Sequence, residues 1–282
     1  MPETKTNPTT QRIDALMEQA STALVARQYF QTERLCLDAL EQAFRAADFH
    51  RMARIILPLQ EARRQKRDIA VETSKVSVVD SVVPNPGEIK AGMYLIKPPR
   101  VGLDGRLLRE AADREEIPVL IVVREPTTRA GLCPVVALGP VTVRTRVAEY
   151  VPRTKNPSKG GKGVDSKSAK KPIKGKADNT NADDKTAELI PDAAWMLAAS
   201  EALGDASIAE IDPARPVVSR VEELYLRLQG IPDHEKLHQA LRATCEEAAR
   251  LGPAALKRRA EIDDDEFEDD LDDQPESDDE EP

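Results

Sequence analysis

Aromatic side chains are scarce in this chain: four Phe, four Tyr and one Trp make up 3% of 282 residues. Any core must be filled by Leu, Val, Ile and Ala, which favours helices and small sheets over a large aromatic-lined pocket. Cysteine is rarer still. Cys36, Cys133 and Cys245 lie far apart with no C-x-x-C pair, which argues against a disulfide framework or a cysteine zinc site and fits a reducing compartment. Long apolar runs are missing: the longest aliphatic stretch, "VLIVV" at 119–123, is far too short to span a bilayer. The opening residues, "MPETKTNPTTQR", contain no apolar segment of the secretory kind. The expectation is a cytoplasmic, soluble protein with no membrane partner. Phosphate-binding and nucleophile-elbow glycine motifs are absent as well. The one glycine cluster, "KGGKG" at 159–163, sits in low-complexity sequence without the flanking strand and helix such a motif needs. No cofactor is expected.

Charge is present in quantity but unevenly spread. The net charge is −9, yet residues 261–282 alone hold 15 acids and no base, leaving 41 bases against 35 acids elsewhere. A second biased stretch, 152–185, has ten bases and four acids among Gly, Ser, Asn and Pro, with almost nothing apolar. Neither stretch can bury enough surface to offset the entropy of ordering it. The chain therefore divides into a disordered start at 1–9, a helical module at 10–72, a small α+β unit at 74–151, a disordered basic linker at 152–187, a second helical module at 188–260 and a disordered acidic tail at 261–282.

Periodicity supplies the elements. Ile13, Leu16, Met17, Ala20 and Leu24 recur at helical spacing, as do Cys36, Ala39, Leu40, Ala43 and Ala47, with a short turn between the two sets. A third helical stripe holds Met52, Ile55, Ile56, Leu59 and Ala62, with Pro58 expected to kink or restart it. Strands are expected in "SKVSVVDSVV", "GMYLIKPP", "PVLIVVRE", "LCPVVALG" and "VTVRTRVAEY". In the last, Val141, Val143, Thr145 and Val147 share one side, while Arg144 and Arg146 share the other. "DGRLLREAADREEI" reads as a helix capped by Asp104 with Leu107, Leu108 and Ala111 facing inward. Three helices close the folded part: one ending at Gly204, one with Val217, Val221, Leu224, Tyr225 and Leu228 on a face, and one with Leu237, Ala240, Leu241, Cys245, Ala248 and Leu251 on a face. The fold class is α+β, mostly α.

Within residues 10–68, "ALVARQYFQTERLCLDALEQA" resembles a tetratricopeptide-type helical hairpin. Tyr29 falls near the turn, Thr32 is the small residue early in the second helix, and Ala39-Leu40 match that helix's Ala-Leu pair. Leu16 stands where the family opens on Trp, and no Pro closes the hairpin in register. "ALGD" at 202–205, with Trp195 upstream, resembles the same turn at a different spacing. The resemblance covers about one repeat and implies a protein-binding scaffold.

"HEKLH" at 234–238 fits H-E-x-x-H, in which two histidines at i and i+4 of a helix bind zinc and the glutamate polarises its water. A zinc metallopeptidase would take His234 and His238 as ligands and Glu235 as base. A third ligand is not in place: the longer form of the motif meets Leu241 and Thr244, and Glu246 and Glu247 lie on the same helix. The motif also opens its helix, just after Pro232. The favoured expectation is therefore no metal, with one histidine half-buried and the other in solvent.

Two functional readings remain. The first is a non-catalytic protein-interaction scaffold with an unknown protein partner, docking through the face of residues 13–67 with Tyr29, Arg63, Arg64 and Arg67 at its edge. The second is an accessory to nucleic acid, bound weakly and without sequence preference through the basic linker, "EARRQKR" at 61–67, and Arg124, Arg129, Arg144 and Arg146.

Overall fold

The computed structural model describes residues 8–127, 131–150 and 190–252. The expected basic linker, the acidic tail and Arg129 lie outside the described residues. The chain opens with α1 (Pro8–Val25), α2 (Tyr29–Arg45) and α3 (Phe49–Glu72). The two turns between them are alike. Arg27 and Ala47 take left-handed φ angles of 60° and 50°. The next amide reaches back to the carbonyl of Ala23 in one turn and Ala43 in the other, each at 2.9 Å. This closure satisfies helix-end carbonyls and reverses the chain in three residues. Pro58 does not break α3, which runs through it as one helix of 24 residues.

The sheet follows: β1 (Val76–Val79), β2 (Gly92–Ile96), α4 (Gly102–Arg114), β3 (Val119–Arg124), β4 (Leu132–Leu138) and β5 (Thr142–Ala148). Spatial order equals chain order, with β1, β2 and β3 parallel and β4 and β5 antiparallel. Alternation along the strands divides the core between the two faces. Tyr94, Ile96, Val119, Val123 and Val136 meet Leu108 and Ala112 of α4 on one side. Met93, Leu95, Leu120, Val122, Cys133 and Val135 join the buried residues of the other helices on the opposite side. As expected, Val143 is buried and Arg144 and Arg146 are exposed.

Helix α4 starts two residues earlier than the sequence suggests. Val101 is its cap, and Asp104, in the first turn, accepts from the Val101 amide at 2.8 Å instead of capping from outside. The face packed on the sheet is that of Gly105, Leu108, Ala111 and Ala112, which leaves Leu107 outside it at 51% exposure.

Three more helices complete the fold: α5 (Ala193–Ala209), α6 (Val217–Gly230) and α7 (Glu235–Leu251). Gly204 does not end α5, which continues five residues beyond it to Ala209. Helix α5 lies across the sheet, and α7 packs on α3, α5 and α6. Trp195 ties α5 to β5 by donating Nε1–H to the Ala148 carbonyl at 2.7 Å, with Tyr150 edge-on to its ring. Phe44 of α2 stacks on Tyr225 of α6 at 4.3 Å. Buried residues from both helical segments and from the sheet form one continuous cluster. Gly139 and Gly230 let the β4–β5 turn touch the end of α6, since a Cβ on Gly139 would stand 2.6 Å from the Gly230 Cα.

Arg27 is exposed, and its φ of 60° strains any L side chain. Arg27→Gly is expected to raise stability by about 1 kcal/mol, read from the urea midpoint. A lowered midpoint would assign the Arg27 side chain a packing role.

Candidate functional site

A seam of paired charges lies where α2, α3, α4 and the start of α7 converge. Glu33 on α2 is the anchor. Its Oε1 accepts from Arg63 Nε at 2.7 Å and its Oε2 from Lys66 Nζ at 2.5 Å. Lys66 also reaches Asp113 of α4 at 2.7 Å and sits 4.1 Å above the Phe30 ring. Glu33, Arg63 and Lys66 are all buried. Burial pushes the Glu33 carboxyl up, but the charges and hydrogen bonds of Arg63 and Lys66 outweigh it and hold the group at about 2.

One helical turn further along α3, Arg67 extends the seam to α7. It donates to Glu235 Oε1 at 2.7 Å and to the Asp233 carbonyl at 3.3 Å, and lies 3.5 Å from Glu201 of α5. Arg109 of α4 pairs with the Asp233 carboxylate. Arg63 and Arg67, expected at the edge of a docking surface, are turned inward instead and cross-link α3 to its neighbours. Their positions at i and i+4 fit the face of α3 that α7 covers. Arg64 stays at the surface, paired with Glu61, and Tyr29 is half-buried at the start of α2.

Beside the seam opens a cleft of about 330 Å³, lined by Glu33, Lys66, Arg106, Arg109, Asp113 and Asp233 among others. Its charges compensate one another: Arg106 pairs with Glu110 at 2.9 Å, and Lys66 and Arg109 pair with the acids already named. The balance leaves no excess of one sign to recruit an ionic substrate.

The HEKLH turn closes the other side of the seam. Neither histidine is solvated: His234 is 0% and His238 1% exposed. The reason is register. Helix α7 begins at Glu235, so His234 precedes it as its cap, accepting from the Leu237 amide through Nδ1 at 3.1 Å. His238 lies one turn in, on the face against α3. Its Nδ1 meets the His234 carbonyl at 2.9 Å, and a carbonyl only accepts, so Nδ1 carries the proton. Its Nε2 is then the acceptor for Arg63 at 3.3 Å. Burial, reinforced by Arg63, lowers His238 to about 3. Burial also lowers His234, against the pull of Glu201 and Asp205, each 3.3 Å from its Nε2.

The two imidazoles therefore address different helices, His238 facing α3 and His234 facing α5. Among the described residues no group of three His, Cys, Asp or Glu side chains is arranged to hold a metal ion. His50 is exposed on α3, and the three cysteines are buried and unpaired. Sequence reasoning did not find the buried role of Glu33, nor the contact of Gly204 with His234. A Cβ on Gly204 would come within 2.0 Å of the imidazole Cγ, so only glycine lets His234 rest on α5.

Glu33→Gln leaves Arg63 and Lys66 buried without their anion and is expected to cost about 3–5 kcal/mol in urea unfolding. A loss below 1 kcal/mol would show the cluster to be solvated. Gly204→Ala is expected to destabilise by about 1–3 kcal/mol through overpacking, although alanine favours a helix over glycine by about 1 kcal/mol. A gain in stability would place His234 elsewhere.

Comparison with known proteins gives no match: no family model fits the chain, and no curated protein or solved structure is similar to it.

Proposed function

We propose that the chain is a non-catalytic interaction protein whose partner is another protein. The observation that carries this reading is where the solvent-exposed apolar side chains collect. Val101, Leu103 and Leu107, at 57%, 50% and 51% exposure, occupy the start of α4. Val82 adjoins them at 73%, because Arg100 clamps the Ser81 carbonyl beside the same helix. Leu103 and Leu107 are one turn apart and share a stripe. The stripe is rimmed by Arg100, Asp104, Arg106 and Glu110, so charges of both signs surround an apolar centre. A patch of this make-up suits an amphipathic helix of a partner, apolar along its middle and mixed in charge at its borders.

The face of residues 13–67 proposed from the sequence does not offer such a surface. Its apolar residues Ile13, Met52, Ile55, Ile56 and Leu59 are fully buried. The cleft does not favour an enzyme: its ionisable side chains are engaged with one another, and Glu33 is held ionised across the neutral range.

The full chain carrying a tag, purified from nuclease-treated native lysate, is expected to bring down one protein in near-stoichiometric amount. Leu103→Asp with Leu107→Asp is expected to abolish that recovery while changing stability by only about 0.5 kcal/mol, since both sites are exposed. Undiminished recovery by the double variant would move the interface off α4. Recovery of no protein, with nucleic acid brought down from a parallel lysate left without nuclease, would overturn the reading.

A further inference from the structure

The histidines of HEKLH take no part in the proposed docking surface, yet both imidazoles are buried at the junction of α3, α5 and α7, with three of their four ring nitrogens hydrogen-bonded and His234 Nε2 held 3.3 Å from two carboxylates without a hydrogen bond. We propose that this junction is an acid-operated latch: proton uptake by His238 and His234 releases the first turn of α7 from α3 and α5.

The geometry sets out why. His238 accepts from Arg63 through Nε2, so a proton added there replaces an acceptor with a donor facing a guanidinium. Glu33, whose charge favours the imidazolium, is already shared by Arg63 and Lys66 and makes no hydrogen bond to the ring. The opposite ring nitrogen is occupied by the His234 carbonyl. His234 fails differently. Its Nδ1 is the cap acceptor for Leu237, and a proton there removes the cap from α7. Its Nε2 faces Glu201 and Asp205 of α5, which favour the imidazolium, while Lys236 of α7, bound to Asp205 at 2.9 Å, opposes it. Arg67 of α3 lies 3.5 Å from Glu201 and draws that carboxylate toward itself. Each protonation thus forfeits a hydrogen bond made by a buried imidazole.

The direction follows from proton counting. Both histidines are neutral while latched and take up protons near 6.5 once released, so release is favoured as pH falls below 6.5. For His238 the effect continues down to about 3, where the latched form itself protonates. Glu33 acts only below its ordinary value of 4.5, because the folded protein keeps it ionised to about 2. Between 6.5 and 4.5 the change belongs to the histidines. Release need not dissolve the molecule, since the α4 side of the sheet has its own buried cluster.

Two measurements on the full chain test this. Amide hydrogen exchange from pH 7 to pH 5, corrected for intrinsic rates, is expected to show protection in 235–245 falling once the pH is below 6.5, about tenfold per pH unit through His238 and more steeply where His234 also takes up its proton. Protection in β2, β3 and α4 is expected to hold. His238→Gln keeps a neutral polar tip and is expected to remove the His238 share, about tenfold per unit, from the slope. Imidazole NMR of the wild type gives a reading that depends on no variant, with the exposed His50 as reference. The His234 and His238 signals are expected to keep their neutral shifts in the latched form and to lose intensity to a second, protonated set as pH falls. Flat protection down to pH 5, equal loss in β2, β3 and α4, or smooth titration of His238 within the folded form would each overturn the latch.

Discussion

A single buried carboxylate organises this molecule. Glu33 brings a negative charge into a largely buried place at the edge of the cleft, and the cost of burying it is offset because Arg63 and Lys66 arrive from α3 at hydrogen-bonding distance. The two cations in turn fix their surroundings. Arg63 needs an acceptor on its far side and finds it in His238, while Lys66 finds Asp113. Helices α2, α3, α4 and α7 are therefore held in one mutual register by groups that tolerate no slippage. Apolar packing stabilises the seam without such discrimination. The ion cluster decides which faces meet.

The same constraint accounts for the architecture around it. A hairpin of two helices leaves a face uncovered, and in repeat proteins the next repeat covers it. Here α7 covers α3 instead, although the two lie more than 160 residues apart in the sequence. The sheet is enclosed by α4 on one side and by α3 and α5 on the other, so both of its faces are lined with Val, Leu and Ile. The scarcity of aromatics is compatible with this because close-packed aliphatic layers fill the space between helix and sheet. The aromatics that are present sit at junctions: Phe44 with Tyr225 between α2 and α6, and Trp195 with Tyr150 between α5 and β5.

Local pattern and long-range pairing separate cleanly in the HEKLH turn. Its spacing suggested a metal site or a wet helix surface, and the structure uses it as a cap and a cross-link. Nothing within a few residues of His234 announces that Gly204, thirty positions earlier, leaves room for its ring. Nothing near Arg63 announces Glu33. Helical spacing did place Arg63 and Arg67 on one stripe, but a stripe of cations looks the same in sequence whether it faces water or a buried acid. Leu107 errs in the opposite sense: it is an apolar residue within a helical pattern, yet the face that packs on the sheet is that of Gly105, Leu108 and Ala112, and Leu107 lies outside it.

The sequence by itself determined the α+β, mostly α class, the helical hairpin at the start, the five strands and the alternation that buries Val143 and exposes Arg144 and Arg146. These follow from periods of 3.6 and 2 and from turn chemistry, which act within a dozen residues. Tertiary structure alone decided that α3 and the last helix share a seam, that α4 and the other helices take opposite faces of the sheet, and that two histidines and Arg63 are interior while Arg67 turns inward. Those outcomes depend on which distant charge satisfies which buried partner, a long-range matching that local periodicity does not encode.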